Sequence, residues 1–350
     1  MPEETPVDVT IKDVARVAGV SASTVSRVLA GDARISAKTQ EKVRQVLREM
    51  DYHPHAGARS LVTGSSRNIG LITARPTTET FANPFFPEVI RGIGSVLETE
   101  GYNLLLSTTQ GEVRQREACL QMLRSRHVDG IVLTSSRMGD SLIDALVAEK
   151  RNFVLIGRPA DAEGRLAHPG VHFVNNDNVL AAAVAVEHLV NRGHRRIGFI
   201  NGPKHWVFCH DRLQGYLHGL EEAGIAPDSE LVLQGHITQQ DGGQAVARLM
   251  ALPNPPTAVL ATDDTLALGA LETALRRGVR VPADLAVMGF NDSPITSWTR
   301  PQLTTVRIPV YDLGAMAARM LVGMLDGIPS RPHQVILPSQ IIVRESTSGS

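Results

Sequence analysis

Cysteine is scarce in this chain, and long apolar runs are missing. The 350 residues include only Cys119 and Cys209, which form neither a CxxC pair nor a cluster with histidine. We therefore expect two plain thiols rather than a disulfide framework or a zinc site. No segment has the uncharged length needed to cross a bilayer, and Met1–Asp8 is acidic and proline-bearing, unlike a signal peptide. These absences predict a cytoplasmic protein with no membrane partner.

The motifs of the common nucleotide-dependent enzymes are also missing. No GxGxxG follows a predicted strand, and no GxxxxGK precedes a serine or threonine. His188 and His194 are six residues apart, which places them on different faces of a helix, and no carboxylate pattern accompanies them. We therefore expect neither an enzyme nor a metal site.

Charge is balanced over the whole chain but not along it. The formal net charge is -1, yet Val9 to Gly64 contains nine Lys and Arg against five Asp and Glu, an excess of four positive charges. A chain of this length is too long for one ordinary core and suits two or three domains. The first of them can be a small basic module inside a neutral protein.

Three short helical patterns occupy this basic segment. Their apolar faces consist of Ile11, Val14, Ala15 and Ala18, then Val25, Val28 and Leu29, then Val43, Val46, Leu47 and Met50. Thr10 and Asp13 have the spacing of a capping box. Gly19 ends the first helix, Ser21 can cap the second, and Ser36 begins the third. Three helices with one tight turn predict a helix-turn-helix module.

The second helix has a small, polar face away from its apolar one. Ala22 pairs with Ser26, and Ser23 pairs with Arg27, at i, i+4 spacing. Ala22 allows close approach, the hydroxyls of Ser21, Thr24 and Ser26 can donate to phosphates, and the Arg27 guanidinium fits guanine in the major groove. The same pattern also fits a three-helix bundle whose polar face is merely solvated.

The chain closely resembles the lactose/galactose repressor family of bacteria. The resemblance is carried by TIKDVARVAGVSASTVSRVLAG (Thr10–Gly31) and ISAKTQEKVRQVLREMDYHPHAGARSL (Ile35–Leu61), and weaker motifs extend it to VRESTS (Val343–Ser348). It implies base-reading roles for Ala22, Ser23 and Arg27. It implies contacts to the DNA backbone for Thr10, Ser21, Thr24, Ser26, Ser36, Thr39 and Tyr52. Because one helix-turn-helix reads only a half-site, we expect a homodimer on a palindromic double-stranded DNA operator.

A second DNA contact is implied just beyond the third helix. Pro54 stops that helix, and HAGARSLVTG (His55–Gly64) matches the hinge helix of the family. His55, Ala58 and Leu61 are assigned to DNA on this resemblance, with Leu61 as the wedge that kinks the minor groove. From the residues alone, a flexible linker with Leu61 packed on the core fits equally well.

From Arg67 onward, short apolar runs alternate with helical patterns. The runs are NIGLIT, YNLLLST, DGIVLTS, FVLIG, HFVNND, RIGFING, LVLQG, AVLATDD and LAVMGFND, with helices including Pro87–Thr99 and Leu180–Arg192. This alternation predicts parallel sheets in a doubly wound α/β fold, whose ligands bind beyond the carboxyl ends of the strands. Four polar residues follow such strands: Arg158, Asp177, Asp263 and Asn291. Each taken singly also fits a helix cap or a turn former.

The family resemblance implies a two-lobed sensor, similar to periplasmic sugar-binding proteins, with three crossovers and the ligand between the lobes. Arg212 matches the ligand-binding arginine, and Asp263 and Asn291 match polar ligand positions. A guanidinium can bind vicinal hydroxyls with two donors, while carboxylate and amide oxygens accept the remaining protons. We therefore expect a small-molecule effector, a sugar, and no cofactor.

Aromatic residues are the less regular part of the implied site. Phe85 and Phe86 are placed at the first-lobe side of the cleft, where at least one of the two is expected to be core. Several relatives carry an aromatic residue where this chain has Ile237, and Trp206 and Trp298 are the candidates to replace it.

The predicted function is a transcriptional repressor of carbohydrate-utilisation genes, controlled by a sugar, with maltose or maltodextrin as the first candidate. Two alternatives stay open: a catabolite-control regulator with a phosphoprotein corepressor, and a regulator that senses a nucleoside or purine. The expected segments are an arm (1–8), the helix-turn-helix (9–54), a hinge helix (55–66), a first lobe (67–175 and 309–334), a second lobe (176–308 and 335–345) and a tail (346–350).

Overall fold

The computed structural model describes residues 9–29, 32–52, 64–73, 77–108, 111–134, 136–328 and 333–348. The predicted arm and the hinge residues His55, Ala58 and Leu61 lie outside these ranges. The chain forms two compact units, one of Met1–Asn68 with Met122–Asp129 and one of Ile69–Gln121 with Gly130–Ser350.

The first unit contains the three predicted helices, α1 (Ile11–Ala18), α2 (Ala22–Leu29) and α3 (Ala37–Glu49). The capping box is present, since the Thr10 hydroxyl and backbone amide exchange hydrogen bonds with Asp13. Gly19 ends α1 with a φ of 62°, a left-handed conformation that favours glycine. Valines from all three helices form the core, which confirms the helix-turn-helix.

The second unit has two lobes, each built on a six-stranded sheet. The first sheet has the strand order β11-β5-β4-β3-β1-β2, and all its registered pairs are parallel. Its strands are β1 (Asn68–Thr73), β2 (Asn103–Ser107), β3 (Gly130–Thr134), β4 (Phe153–Ile156), β5 (Phe173–Asn176) and β11 (Gln334–Leu337). Its helices are α4 (Thr77–Ala82), α5 (Phe85–Glu100), α6 (Glu112–Arg124), α7 (Ser141–Ala148) and α12 (Val310–Leu325).

The second sheet has the strand order β12-β10-β9-β8-β6-β7, and β12 alone among the registered strands runs antiparallel to its neighbour. Its strands are β6 (Ile197–Asn201), β7 (Val232–Gln234), β8 (Ala258–Ala261), β9 (Ala286–Asn291), β10 (Thr304–Arg307) and β12 (Gln340–Ile342). Its helices are α8 (Asn178–Val190), α9 (Val207–Glu222), α10 (Gln239–Leu249) and α11 (Asp264–Arg276), with short 3-10 turns at Ser229–Leu231 and Pro294–Ser297.

Paired helices cover the sheets, and glycines let them approach closely. In the second lobe, Gly215 of α9 faces the carbonyl oxygen of Val179 on α8, and a Cβ added at Gly215 would lie 2.0 Å from that oxygen. Real Cβ atoms do not approach an oxygen this closely, so this crossing requires glycine. The helix pair in turn fixes the start of α9, which borders the cleft.

The chain passes between the lobes after β5, after β10 and after β11, which gives the three crossovers that the family resemblance implied. The observed boundaries differ slightly from the predicted ones. Strand β5 continues to Asn176, and β11 keeps residues 334–337 in the first lobe. The predicted tail begins at Ser346, yet Ser346 is fully buried and accepts a hydrogen bond from Val287 of β9. Residues 346 and 347 therefore belong to the second lobe.

The doubly wound architecture is confirmed, with all nine predicted strands present. Within the described ranges, no helix is long and apolar enough to span a membrane. The same ranges contain no group of three or more metal-ligating side chains placed to hold an ion.

Candidate functional site

The exposed side of α2 presents the residues that were predicted to read bases. Ser23 and Arg27 are exposed, and Ala22 is half-buried beside them. The Ser21 hydroxyl accepts from the Thr24 amide at 3.1 Å and lies 2.8 Å from the Ser23 hydroxyl, so it caps the helix. Small side chains and the exposed guanidinium of Arg27 thus share one face, which is the surface a major groove can accept.

Five of the seven residues predicted to contact the DNA backbone lie at or near helix N-termini: Thr10, Ser21, Thr24, Ser36 and Thr39. Thr10 caps α1 and Ser36 caps α3, where its hydroxyl accepts from the Thr39 amide at 3.3 Å. Ser26 is half-buried on α2. Tyr52 differs from this group, because its ring lies in the core of the first unit and is only 9% exposed. The amide groups of helix N-termini attract phosphate, so the residues at these termini are suited to bind the DNA backbone. Tyr52 has only a small exposed part of its side chain with which to make such a contact.

A cavity of about 630 Å³, open solvent at its mouth included, lies between the two sheets of the second unit. The carboxyl ends of strands from both lobes point toward it, as expected for a doubly wound fold. Its lining consists of Asn83, Phe85, Phe86, Ser136, Ile156, Gly157, Arg158, Asn175, Asn176, Asn178, Val207, Phe208, Asp211, Arg212, Asp263, Asn291, Ile308 and Leu313.

Arg212, on α9, is the central cation of this cavity. Its Nε donates to Asn178 Oδ1 at 2.8 Å, and its Nη1 donates to the Thr262 carbonyl oxygen at 2.6 Å. The guanidinium also lies 4.3 Å from the centre of the Phe290 ring. Burial lowers the pKa of Arg212 to about 10, which leaves the group charged at neutral pH. Arg212 is thus a fixed, desolvated donor, and no carboxylate of the described residues forms an ion pair with it.

Asp263, at the end of β8, is the polar acceptor opposite this donor. Its Oδ1 caps α11 by accepting from the Thr265 amide, and its Oδ2 accepts from Asn291 Nδ2 at 2.9 Å and from Asn83 Nδ2 at 3.3 Å. Asn83 belongs to the first lobe, whereas Asp263 and Asn291 belong to the second. The carboxylate therefore joins the two sides of the cleft.

The backbone at Asn291 is held in an unusual conformation, with a φ of 109°. The following residues are tied down: Ser293 donates through its amide and hydroxyl to Asp264, and Arg344 donates to Asp292 at 2.6 Å. Burial raises the pKa of Asp264 to about 7. This network fixes the Asn291 side chain toward Asp263, although a positive φ is strained for asparagine.

Arg158 and Asp211 form a second polar pair in the cavity wall. Arg158 follows β4 of the first lobe, and Asp211 lies on α9 of the second. The guanidinium donates from Nε to Oδ2 at 2.8 Å and from Nη2 to Oδ1 at 2.5 Å. This two-bond geometry is the strong form of an arginine–carboxylate pair.

Phe85 and Phe86 both line the cavity, in an edge-to-face pair with ring centres 5.5 Å apart. Phe86 is only 1% exposed and belongs to the core as well, whereas Phe85 is half-buried. The expectation that one of the two is core therefore agrees with this arrangement, and Phe85 presents the accessible face.

Four residues considered from sequence lie away from the cavity lining. Asp177 is exposed and caps α8 by accepting from the Leu180 amide, because it begins the helix that follows β5. Ile237 packs on Gly202 and the second-lobe core. Trp206 is buried with Arg137 over its ring, and Trp298 is 74% exposed. Neither tryptophan therefore takes the place of the aromatic residue that several relatives carry at the position of Ile237.

The structure adds residues that the sequence reading missed: Asn83, Ser136, Asn175, Asn176, Asn178, Phe208 and Asp211. The signal was present in VNND at the end of β5 and in FANPFF at the start of α5. The sequence analysis selected one polar residue after each strand and so missed the neighbouring asparagines, whose amides both donate and accept hydrogen bonds.

A DNA-reading helix-turn-helix and a two-lobed binding domain together define a ligand-responsive transcription regulator. Residues 10–55 match the bacterial regulatory proteins of the lacI family, and residues 186–347 match a periplasmic binding protein-like domain. The chain therefore belongs to the lacI family of bacterial regulators and is a DNA-binding transcription regulator of that type.

Similar proteins cover nearly the whole chain. The HTH-type transcriptional repressor CytR of Escherichia coli K12 is 35% identical over 97% of this chain and 96% of its own length. The regulator CelR of Thermobifida fusca is 34% identical, covering 96% and 98%. A CelR–cellobiose complex superimposes with a TM-score of 0.74 at 32% identity, over 97% and 99% of the two chains. A lac repressor dimer bound to operator and the anti-inducer ONPF has a TM-score of 0.84 at 27% identity over the same shares.

Proposed function

We propose that this protein is a homodimeric repressor of carbohydrate-utilisation genes whose binding to a palindromic operator is controlled by a neutral sugar held between the lobes. The helix-turn-helix supplies the DNA contact, with Ala22, Ser23 and Arg27 toward the bases. The cavity supplies the control.

The proposal depends chiefly on the hydrogen bonding of Arg212. Its Nη2 makes no hydrogen bond to any residue in the described ranges, while Nε and Nη1 are fixed by Asn178 and Thr262. Because Arg212 lines the cavity and its other two nitrogens are already fixed, Nη2 can donate to a ligand that supplies an acceptor there. Adjacent hydroxyls of a sugar ring supply acceptors at a spacing that a guanidinium can bind.

The rest of the lining suits the same class of ligand. Asp263 and several asparagine amides can accept and donate to hydroxyl groups. Phe85 offers an aromatic face for the apolar side of a sugar ring. A small number of polar groups in a partly aromatic cavity is the usual composition of such a site.

Relatives support a sugar without naming which one. CelR is described in complex with cellobiose, and two other relatives, 34% and 32% identical, are ribose operon repressors. A 30% identical relative is the repressor PurR, so a purine or nucleoside remains the second candidate class. Maltose, the first candidate from sequence, belongs in the test panel together with cellobiose, ribose and adenosine.

Control of DNA binding requires that the ligand favours one arrangement of the lobes. A sugar bound by Arg212 of the second lobe and Phe85 of the first bridges both sides of the cleft. It therefore favours the closed arrangement over an open one by the difference in its affinity for the two. In a homodimer this shift changes how the two DNA-reading modules are presented to the operator.

The test combines a thermal-shift screen with operator binding. A ligand of the native state raises the melting temperature by mass action, so the full-length protein is screened against maltose, cellobiose, ribose and adenosine. Operator affinity is then measured by gel shift with and without each compound that raises it. We expect at least one neutral sugar to change operator affinity. A response only to a phosphorylated carrier protein, with constant affinity across the sugars, contradicts the proposal.

A further inference from the structure

The pair of Arg158 and Asp211 crosses the cleft, joining the end of β4 in the first lobe to α9 in the second. Both carboxylate oxygens are engaged by the guanidinium. The Asp211 side chain is 4% exposed and the Arg158 side chain 19% exposed. A pair so shielded from water interacts more strongly than a surface pair, and breaking it by removing one partner leaves an uncompensated charge.

Neighbouring groups fix the pair in this geometry. Arg158 Nη2 also donates to the Gly164 carbonyl oxygen at 2.8 Å, and the Ser136 hydroxyl donates to the Arg158 carbonyl oxygen at 2.6 Å. Arg158, Asp211 and Ser136 all line the cavity. The Gly164 contact therefore gives the guanidinium a hydrogen bond at the cavity wall that does not depend on the charge of Asp211.

The charges of the described lining balance. Two cations, Arg158 and Arg212, face two carboxylates, Asp211 and Asp263. A phosphate or carboxylate brought into this wall would meet two buried anions and would find Nε and Nη2 of Arg158 already engaged by Asp211 and Gly164. A neutral polyhydroxylated ligand meets neither obstacle.

We propose that Asp211 determines specificity by neutralising Arg158, so that the cavity accepts uncharged sugars and rejects phosphorylated ones. This inference rests on the proposed function, because it assigns selectivity to the same cavity. Asp211 acts through the charge of Arg158. Removing its negative charge converts the wall into an anion site, since the half-buried Arg158 then loses its counter-charge.

The decisive experiment measures the binding of inorganic phosphate to the full-length protein by calorimetry at constant ionic strength. We expect Asp211→Asn to bind phosphate roughly tenfold or more tightly than the unmodified protein, since one buried counter-charge has been removed. Asp161→Asn is the matched control: it makes the same charge change at a residue paired with Arg165, which is 74% exposed, outside the cavity. That control should bind phosphate no better than the unmodified protein.

A double variant separates selectivity from structure. Arg158→Met combined with Asp211→Asn restores a neutral wall, so the gained phosphate affinity should disappear. A merely structural role of the pair predicts no gain of phosphate affinity in any variant. If Asp211→Asn does not fold, as judged by circular dichroism, Asp211→Ser makes the same charge change.

The inference is overturned if the unmodified protein binds phosphate as tightly as Asp211→Asn, or if the double variant keeps the gain. These outcomes do not depend on finding the effector. Failure of every neutral sugar to change operator affinity would contradict the proposed function, while the phosphate comparison would still decide the role of Asp211. A sugar phosphate that binds the unmodified protein as well as its parent sugar contradicts the selectivity alone.

Discussion

Asn83 and Asp263 lie on opposite lobes and share a hydrogen bond of 3.3 Å across the cleft. Asn83 is oriented for this contact because its Oδ1 accepts from the Phe85 amide at 2.9 Å, which turns its Nδ2 toward the carboxylate. Both side chains are buried. Closure of the cleft therefore depends on an amide facing a carboxylate.

Replacing Asn83 by aspartate should disfavour closure, because two buried carboxylates would face each other. We expect Asn83→Asp to reduce effector affinity by about tenfold or more, with operator affinity in the absence of effector preserved. Effector affinity is measured by isothermal titration calorimetry with the effector found by the screen, and operator affinity is measured by gel shift. Asn152→Asp, at an exposed first-lobe position, is the control. Equal effector affinity in both variants would show that the contact is not needed.

Arg212→Met should abolish the effector response and leave operator binding intact. The substitution keeps much of the side-chain volume over Phe290 but removes the guanidinium donors that face the ligand, Asn178 and Thr262. Arg165→Met removes an exposed arginine and should respond normally. Simultaneous loss of operator binding and of the thermal transition would mean that Arg212 is chiefly structural.

Arg27→Ala should weaken specific operator binding by about 10- to 100-fold, the range associated with one bidentate base contact. Its effect on binding to unrelated DNA should be much smaller, because base contacts carry the specificity. The control is Arg48→Ala on α3, where the guanidinium pairs with Glu41. The two affinities are compared by gel shift at one fixed salt concentration. An equal loss on specific and unrelated DNA would reassign Arg27 to the DNA backbone.

His188 should make stability fall in mild acid. Burial, with the nearby Arg192 and His194, lowers the pKa of His188 to about 4. The pKa of His188 in the folded protein lies below the usual 6.5. The neutral ring therefore makes its full contribution to the free energy of unfolding above pH 6.5, and that contribution is lost as the pH falls toward 4. Allowing for the partial exposure of the ring, the effect is on the order of 1–2 kcal/mol.

The structure gives this pH effect a geometric cause. Nδ1 of His188 accepts from Arg192 at 3.3 Å, and Nε2 lies 3.0 Å from the Thr347 hydroxyl, so the neutral ring satisfies both neighbours. His188→Gln should flatten the decline of unfolding free energy between pH 6.5 and 4, measured by urea titration. His236→Gln, at an exposed position, should leave it unchanged. An unaltered slope in His188→Gln would assign the decline to other groups.

Gly215→Ala should destabilise the second unit by about 3 kcal/mol, because the added methyl group would collide with the Val179 carbonyl oxygen. Gly94→Ala should have the opposite effect on the free energy of unfolding. Gly94 lies within α5 with nothing within 4 Å of an added Cβ, so alanine there should stabilise by about 0.5–1 kcal/mol. Urea denaturation of both variants tests the pair, and a tolerated Gly215→Ala would show that α8 and α9 can separate.

Strong hydrophobic patterns made the first nine strands and the three N-terminal helices predictable. Strands β10, β11 and β12 were missed, since β10 (Thr304–Arg307) carries two threonines and an arginine, and no residue of β11 or β12 is fully buried. Their place is decided by partners distant in sequence. Arg307 of β10 pairs with Gln340 of β12, a contact that no local pattern reveals.

The candidate site was predicted in part. Arg158, Arg212, Asp263 and Asn291 follow strands or match a family motif, and the structure brings them to one cavity. The sequence analysis selected Asp177, whereas its neighbours Asn176 and Asn178 line the cavity. The carboxylate of Asp177 caps the following helix and therefore does not line the cavity. Asp211 could not be found from sequence, since its importance comes from Arg158, which lies in the other lobe.

The interleaved topology also sets an order of assembly during translation. The core of the helix-turn-helix is complete once the segment through Tyr52 has been made. Both lobes wait for late segments: the first for α12 and β11, the second for β12 and the buried Ser346 and Thr347. A nascent chain can therefore hold a folded DNA-reading module long before it can sense anything. We expect newly made chains to lack effector control until Thr347 has been synthesised and the second lobe has folded.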